Sequence, residues 1–367
     1  MAGDGVELTL ANFPDVFVSF LDQFTPDQVI NDAAGQRRIL SKLLKRAKKQ
    51  GYKGKTFTFP VILNVANRLK GVLPYHVETP TPIEGAVEGT ALWRFLLASF
   101  LISDQEIVIA NNGGGKAKMQ LLKLKRELLM TSVRDGLDAM LFMLWATYVA
   151  DPTKKDKQFL PINGLITDNG LAPEDSAVTT GIGVHAVEGI VPGSADQDLQ
   201  GNWLNKHIAI TTAQELPDAM ADMIIDLDYQ PLEDSEYGDK ASANKFGDEY
   251  MLVCDTNTFK DYGKMSRARR DNKGKDLGDS VTTPLFSGQD LIWSPQITRA
   301  DSTGQVDFLN LNHIFPMIAE ERMFKVSKEK PFGQAASATY MDLWMTLVAD
   351  SRRRLGRVYG HGRLKKQ

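Results

Sequence analysis

Apolar positions recur along this chain with two periods, and the changes of period mark its parts. From Gln36 to Lys55 the sequence carries Arg37, Arg38, Lys42, Lys45, Arg46, Lys48, Lys49, Lys53 and Lys55 without one acid, around a thin apolar stripe of Ile39, Leu40, Leu43 and Leu44. The spacing predicts a basic helix whose stripe is too narrow to hide much surface alone, so it must lie against something else. A solvated basic face and a nucleic-acid contact both fit it. From Lys55 the period becomes two. Thr56, Phe57, Thr58 and Phe59 alternate, with Val61, Ile62, Leu63 and Val65 following, as a half-buried strand requires. Pro60 has no N–H for a ladder, which places the strand at an edge or a bulge. Beyond Arg68, Leu69, Lys70 and Gly71, the run VLPYHVETPTPIEGAVEGT reads as the tip and return of a long hairpin. Its low apolar content means a projecting hairpin needs a partner surface to be stable.

Glu106 to Ala110 (EIVIA) reads as a short strand leading into Gly113, Gly114 and Gly115. The strongest helical signal follows. Lys116 to Ala150 has no proline, and Leu122, Leu129, Val133, Leu137, Met140, Leu141, Leu144 and Tyr148 recur mostly at steps of three, four or seven, with Asp151-Pro152 as the stop. At 1.5 Å per residue this is a rod of about 50 Å, exposed at its lysine-rich start and buried at its apolar end. Phe159 to Asp168 is a buried run with a turn, and Glu174 to Gln200 a polar loop. Thr211 or Thr212 can cap a helix buried through Leu216, Met220, Met223, Ile224 and Leu227. Tyr250 to Cys254 (YMLVC) is a buried strand, and Asp255-Thr256-Asn257 offers the N-cap of a helix around Phe259 to Arg269. Strands are expected at Asp290 to Ile297, Val306 to Asn310 and Arg322 to Val326, and a helix or strand at Tyr340 to Ala349.

Length and charge narrow the classes. The chain has 367 residues and 40.7 kDa, enough for two compact domains with a sizeable core. With 43% apolar and 24% charged residues it is too apolar for a disordered chain. A net charge of -3 and a pI near 6.0 argue against nucleic-acid binding over the whole surface. Cys254 is the single cysteine, which excludes an intrachain disulfide or a multi-thiolate metal site and suits a reducing compartment. The start, MAGDGVELTLANF, lacks the basic and apolar regions of a secretory signal, so export is not expected. The most apolar stretch, Ala139 to Ala150, is short of the roughly 20 residues of a membrane span and reads as a buried helix.

Candidate chemistry is sparse. Gly113-Gly114-Gly115-Lys116 resembles a phosphate loop, but Ala110 stands where the first glycine belongs and Ala117 where a serine or threonine would hold magnesium. A glycine hinge before a long helix explains it better. His76, His185, His207, His313 and His361 show no zinc spacing. Cys254 reads as an inert buried thiol, and GxSxG is absent. Gly181, Gly183 and Ala186 fit a dinucleotide fingerprint only loosely. Asp218, Asp222 and Asp226 fall on one helix face as a solvated surface. None of these makes an active site, and no cofactor or metal is expected.

The order of the parts says more than any motif: basic arm, projecting hairpin, glycine hinge, long helix, α/β region, strands and a basic ending. Projecting parts stay wet unless neighbouring subunits cover them, which suits a self-assembling lattice. The chain resembles the major capsid proteins of tailed bacteriophages, with the Hong Kong-97-type capsid fold. The resemblance rests on GKTFTFPVILNVANRLKG, GGGKAKMQLLKLKRELLMTSVRDGLDAMLF, INGL, YMLVCDTNTFKDY, the run from DLIWSPQI to DFLNLNHIF, and MDLWMTLVADSRRRLGRVYG. It implies an α+β fold with an N-terminal arm (1–54), an extended β-hairpin loop (55–95), a peripheral domain with the long spine helix (96–160 and 321–367) and an axial domain (161–320).

The resemblance further implies a protein that is not an enzyme. It would self-assemble into hexamers and pentamers of an icosahedral shell around double-stranded DNA, bound without sequence specificity. Its partners would be itself, a separate scaffolding protein, a portal and, in some relatives, a decoration protein. Its place would be the virion, assembled in the bacterial host cytoplasm, with no membrane contact. On that reading Phe57, Phe59, Val61, Arg68 and Lys70 lie at intersubunit contacts, and Arg352, Arg353 and Arg354 pair with acids within or between subunits. Two alternatives stand beside it: an encapsulin-type compartment of the same fold, and a nucleotide-dependent enzyme using Gly113 to Lys116.

Overall fold

The structure is a computed structural model that describes residues 38–51, 54, 56–62, 86–151, 157–168, 203–227, 250–271, 285–286, 289–299, 304–329 and 336–360. The chain enters through α1 (Arg38–Lys45), β1 (Lys48–Gln50), the antiparallel pair β2 (Thr56–Ile62) and β3 (Ala86–Leu92), and β4 (Arg94–Ser103). Four helices follow: α2 (Asp104–Asn112), α3 (Gly114–Leu141), α4 (Trp145–Ala150) and the single turn α5 (Ile162–Leu165). Beyond them come β5 (Lys206–Ala209), α6 (Leu216–Asp226), β6 (Tyr250–Cys254), α7 (Thr256–Asp271), β7 (Leu285–Phe286), β8 (Gln289–Trp293) and α8 (Pro295–Arg299). The last strands are β9 (Gln305–Asn310), β10 (Ile314–Glu329), β11 (Ala336–Ala349) and β12 (Gly356–Tyr359).

Two larger sheets result. One has four strands in the order β1-β10-β11-β4, the other six in the order β5-β12-β9-β6-β8-β7. The centre of the six-stranded sheet, β6 and β9, is buried on both faces. In β6, Met251 and Val253 join the main core, while Tyr250, Leu252 and Cys254 face a second core with α6. That is why YMLVC reads as a continuous apolar run rather than an alternating one. The main core is shared between the sheets. It packs Val253, Ile292 and Leu309 of the six-stranded sheet with Leu343, Met345 and Leu347 of β11 and with Leu129, Leu137 and Leu141 of α3. A third core sits under the base of the β2–β3 hairpin, where Phe59, Val61 and Trp93 meet Trp203, Phe315 and Met317.

The basic segment is less of an arm than its sequence suggests. Ile39, Leu40, Leu43 and Leu44 are all buried in the main core, and Lys48 to Gln50 pair in parallel with Met317 to Ala319. The narrow stripe lies on the chain's own sheet. The lysines follow at the rim, with Lys48 Nζ 3.5 Å above the Phe315 ring.

Three local expectations are corrected. Glu106 to Ala110 is helical, not a strand, because Ser103 starts α2 with a capping box. The Glu106 N–H donates to Ser103 Oγ (3.4 Å) and the Ser103 N–H donates to the Glu106 carboxylate (3.1 Å), so the spacing Ser-x-x-Glu outweighs the three β-branched residues Ile107, Val108 and Ile109. The long helix ends at Leu141 rather than Ala150. The carbonyls of Phe142 and Met143 leave the helical ladder and accept instead from the Asn163 side-chain amide, at 3.3 and 3.1 Å. Asp290 to Ile297 is not one strand, since Pro295 opens α8 and the Ser294 hydroxyl accepts from the Gln296 N–H (3.3 Å). Tyr340 to Ala349, left open between helix and strand, lies within β11.

The Asp255 cap is present as the sequence suggests, accepting from the N–H groups of Asn257 and Thr258 at 2.9 and 3.4 Å. Thr211 and Thr212 act differently from expectation. Their hydroxyls donate to the Glu215 carboxylate just before α6, and no side chain caps that helix.

Candidate functional site

The chain passes between the two sheets twice in its last third, and the crossings lie side by side. The first is the turn Leu311 to His313 between β9 and β10. The second is the stretch Asp350 to Leu355 between β11 and β12. Asp350 N–H donates to the His313 carbonyl (3.1 Å), and His313 Nδ1 lies 2.7 Å from Asp350 Oδ1. Because β12 lies between β5 and β9, the segment from 321 onward is divided between the two sheets.

Two buried arginines fill this junction. Arg352 has no exposed surface. Its Nε donates to the Leu165 carbonyl (2.8 Å), Nη1 to the Trp203 carbonyl (3.0 Å) and Nη2 to Asn205 Oδ1 (3.0 Å). Asn205 in turn binds Thr167 through both ends of its amide, so two distant stretches, 165–167 and 203–205, converge on one guanidinium. Arg357, on β12, meets the fully buried Asp307 of β9 at 2.6 Å and 3.2 Å, with Asp168 at 3.2 Å and Asn163 Oδ1 at 2.7 Å. Burial pushes the Asp307 carboxyl above its ordinary range, and Arg357 draws it part of the way back. The same Asn163 holds the Phe142 and Met143 carbonyls, so a continuous polar path runs from the end of α3 to the middle of the six-stranded sheet. This cluster holds position rather than transferring groups: its donors and acceptors are spent on one another inside the fold.

The residues expected at subunit contacts fall in different places. Phe59 and Val61 are buried against the chain's own Trp93 and Trp203 core, while Phe57 is half-buried, stacked on Phe59 at 5.6 Å. Arg353 and Arg354 are half-buried, and Arg354 Nη1 donates to the Leu227 carbonyl (3.0 Å). Arg352 turns inward. Arg68, Lys70, the tip of the hairpin and the Gly181–Gly183 loop lie outside the described residues.

Sequence reading missed Arg357, Asp307, Asn163 and Asn205. A signal was there: a charge inside VDFLN and another inside LGRVY, in strands otherwise apolar on both sides, demand each other.

Open apolar surface is the other feature that bears on function. On β4, Phe95, Leu97 and Leu101 are 50%, 62% and 56% exposed. They lie on the sheet face away from α3, with Phe95 edge-on to Trp344 at 4.5 Å. On the helical side, Ile109, Leu124 and Leu128 are also exposed.

Among the described residues no group of three His, Cys, Asp or Glu could hold a metal ion, and none of the described helices is long and apolar enough to cross a membrane. Burial, with Asp255 and Asp307 nearby, pushes the Cys254 thiol well above its ordinary range, away from thiolate reactivity. Gly113 alone separates α2 from α3, and Gly114 to Lys116 form the first turn of α3, so the motif stands between two helices instead of a strand and a helix. Its first N–H is spent on the Ile109 carbonyl at 3.1 Å, so it does not form a phosphate cradle.

No family model matches the sequence, and no curated protein matches it. Solved structures do. The capsid asymmetric unit of cyanophage A-1(L) superposes with a TM-score of 0.53 at 10% identity, covering 88% of this chain and 92% of that one. The capsid of the native GTA particle gives 0.53 at 11% identity over 88% and 90%, and that of the empty GTA particle 0.51 at 12% over the same shares. The chain therefore has a mixed α/β fold of the phage capsid, Hong Kong-97-like type.

Proposed function

We propose that this protein is the major capsid protein of a tailed bacteriophage, a structural subunit that assembles into hexamers and pentamers of an icosahedral shell enclosing double-stranded DNA. The observation that carries the reading is the likeness to capsid subunits over nearly nine-tenths of the chain. The site supports it. Chemistry is directed to rigidity, with buried arginines fastening the six-stranded sheet and the second crossing to the 163–168 and 203–205 segments, while exposed apolar residues on β4 and α3 remain for neighbouring copies to cover. Phe57, Arg353 and the hairpin residues Arg68 and Lys70 belong to those contacts. Phe59, Val61 and Arg352 act beneath them, fixing the hairpin base and the second crossing.

The test is electron microscopy of the protein expressed alone and together with its upstream gene product as candidate scaffold. Closed, uniform shells are expected. Dispersed single subunits under both conditions would overturn the proposal, and shells filled with a copurifying enzyme in place of DNA would replace it with a cargo compartment.

A further inference from the structure

The ladder between β4 and β11 stops at the pair Arg94–Met345, because the chain before Arg94 turns away into the β2–β3 hairpin. From Thr346 onward β11 keeps β10 on one side and has no β4 residue on the other. A cavity of about 380 Å³ lies at this step, between the hairpin base, the end of β11 and α4. That volume is at the small end of ligand sites, which run from about 300 to 1,000 Å³.

Its lining has an apolar part and a polar part. Ala91 of β3, Tyr148 of α4 and Leu347 of β11 are all buried. The Tyr148 hydroxyl is already spent on the Gln158 carbonyl at 3.3 Å, so Tyr148 brings the cavity apolar surface. On the polar side stand Arg94, half-buried, and Thr346, 3% exposed. Among the described residues no hydrogen bond engages the Thr346 hydroxyl, and a hydroxyl so deeply buried calls for a partner. Arg94 is the single charged residue in the lining. With five donors in a fixed fork, a guanidinium can serve its own chain and a ligand together.

We propose that this cavity binds a small organic monoanion, a carboxylate on a short apolar body such as a medium-chain fatty acid. The carboxylate lies between Arg94 and the Thr346 hydroxyl, and the body covers Ala91, Tyr148 and Leu347. A guanidinium matches a carboxylate with two parallel hydrogen bonds, and a single cation balances a single negative charge, which favours a carboxylate over a phosphate monoester. The apolar lining rewards a body that leaves water. Because the lining comes from both the hairpin and β11, an occupant ties the hairpin base to the four-stranded sheet. Such binding needs one subunit only and is independent of the shell reading.

Isothermal titration of the full chain with octanoate tests it, beside octanol, which lacks the charge, and acetate, which lacks the apolar body. Octanoate should bind once per subunit and raise the unfolding midpoint in a saturable way, since a ligand of the folded state stabilises it by mass action. Octanol and acetate should each bind at least about tenfold more weakly. Arg94→Leu should weaken octanoate by about tenfold or more, the scale of one lost charge-assisted hydrogen bond. Thr346→Val keeps the shape of the side chain and should weaken octanoate several-fold while the circular dichroism stays that of the parent, so it carries the test if Arg94→Leu does not fold. Absence of octanoate binding would overturn the proposal. So would octanol binding as tightly as octanoate, or octanoate binding unchanged in the folded variants. None of these outcomes bears on the formation of shells, which microscopy decides separately.

Discussion

Removing the Arg357 guanidinium would leave the Asp307 carboxylate buried without its main counter-charge, so Arg357→Ala should destabilise the chain by about 3–5 kcal/mol, read from urea unfolding midpoints. Arg357→Lys should recover only part of that loss, because an ammonium cannot fork between Asp307, Asp168 and Asn163. At the start of α2 the effect runs with pH. Partial burial raises the Glu106 pKa, but the Lys125 ammonium at 2.8 Å and the Ser103 N–H outweigh it and hold the carboxyl below the ordinary glutamate value. A depressed carboxylate contributes stability that is present above its unfolded pKa and lost as pH falls through the folded one. The difference between parent and Glu106→Gln should therefore be full near neutrality, about 0.5–1 kcal/mol for a half-exposed pair, and vanish below the ordinary glutamate range. Glutamine keeps the cap's acceptor oxygen, so this comparison isolates the charge. A difference unchanged at low pH would rule out the ion pair as its source.

The β2–β3 hairpin shows how one element divides its residues between fold and surface. Phe59 lies over Gly89 on the partner strand, where a Cβ would come within 2.8 Å of the ring, and contributes to the Trp93 and Trp203 core. Phe59→Ala should cost about 3–5 kcal/mol and lower the yield of folded protein. Phe57, half-buried beside it, should behave differently: Phe57→Asp should leave the melting temperature within a few degrees and impair assembly, measured by sedimentation. A large loss of melting temperature with Phe57→Asp would move that side chain from the contact set to the hairpin base. The alternation of Thr and Phe made the strand legible, but alternation names two faces without saying which is covered. A different signal misassigned Glu106 to Ala110, where the four-residue capping box Ser103 to Glu106 decided a helix against β-branched character. The end of α3 was hidden for a different reason: its stop is an asparagine some twenty residues further on, not a proline or glycine at the break.

At the scale of the molecule, the shared core and the paired crossings fasten the two sheets into one cooperative unit. Calorimetry of the parent should give a single unfolding transition, and Arg352→Met with Arg357→Met should lower its midpoint while leaving it single, because the shared core still joins the sheets. Two transitions in the parent would show that the junction does not couple them. Periodicity and composition by themselves determined the elements rich in local signal: the basic helix, the hairpin strand, the body of the long helix, and YMLVC with its Asp255 cap. The resemblance to capsid subunits rested instead on particular stretches and their order, and the likeness of fold to a capsid subunit at 10% identity agrees with it. Tertiary structure alone decided which apolar stripe is core and which is open, that the basic helix is anchored on its own sheet, and that Arg352 turns inward. Those outcomes depend on partners more than a hundred residues away, such as Leu165 and Trp203 for Arg352, and no local period encodes a contact at that separation.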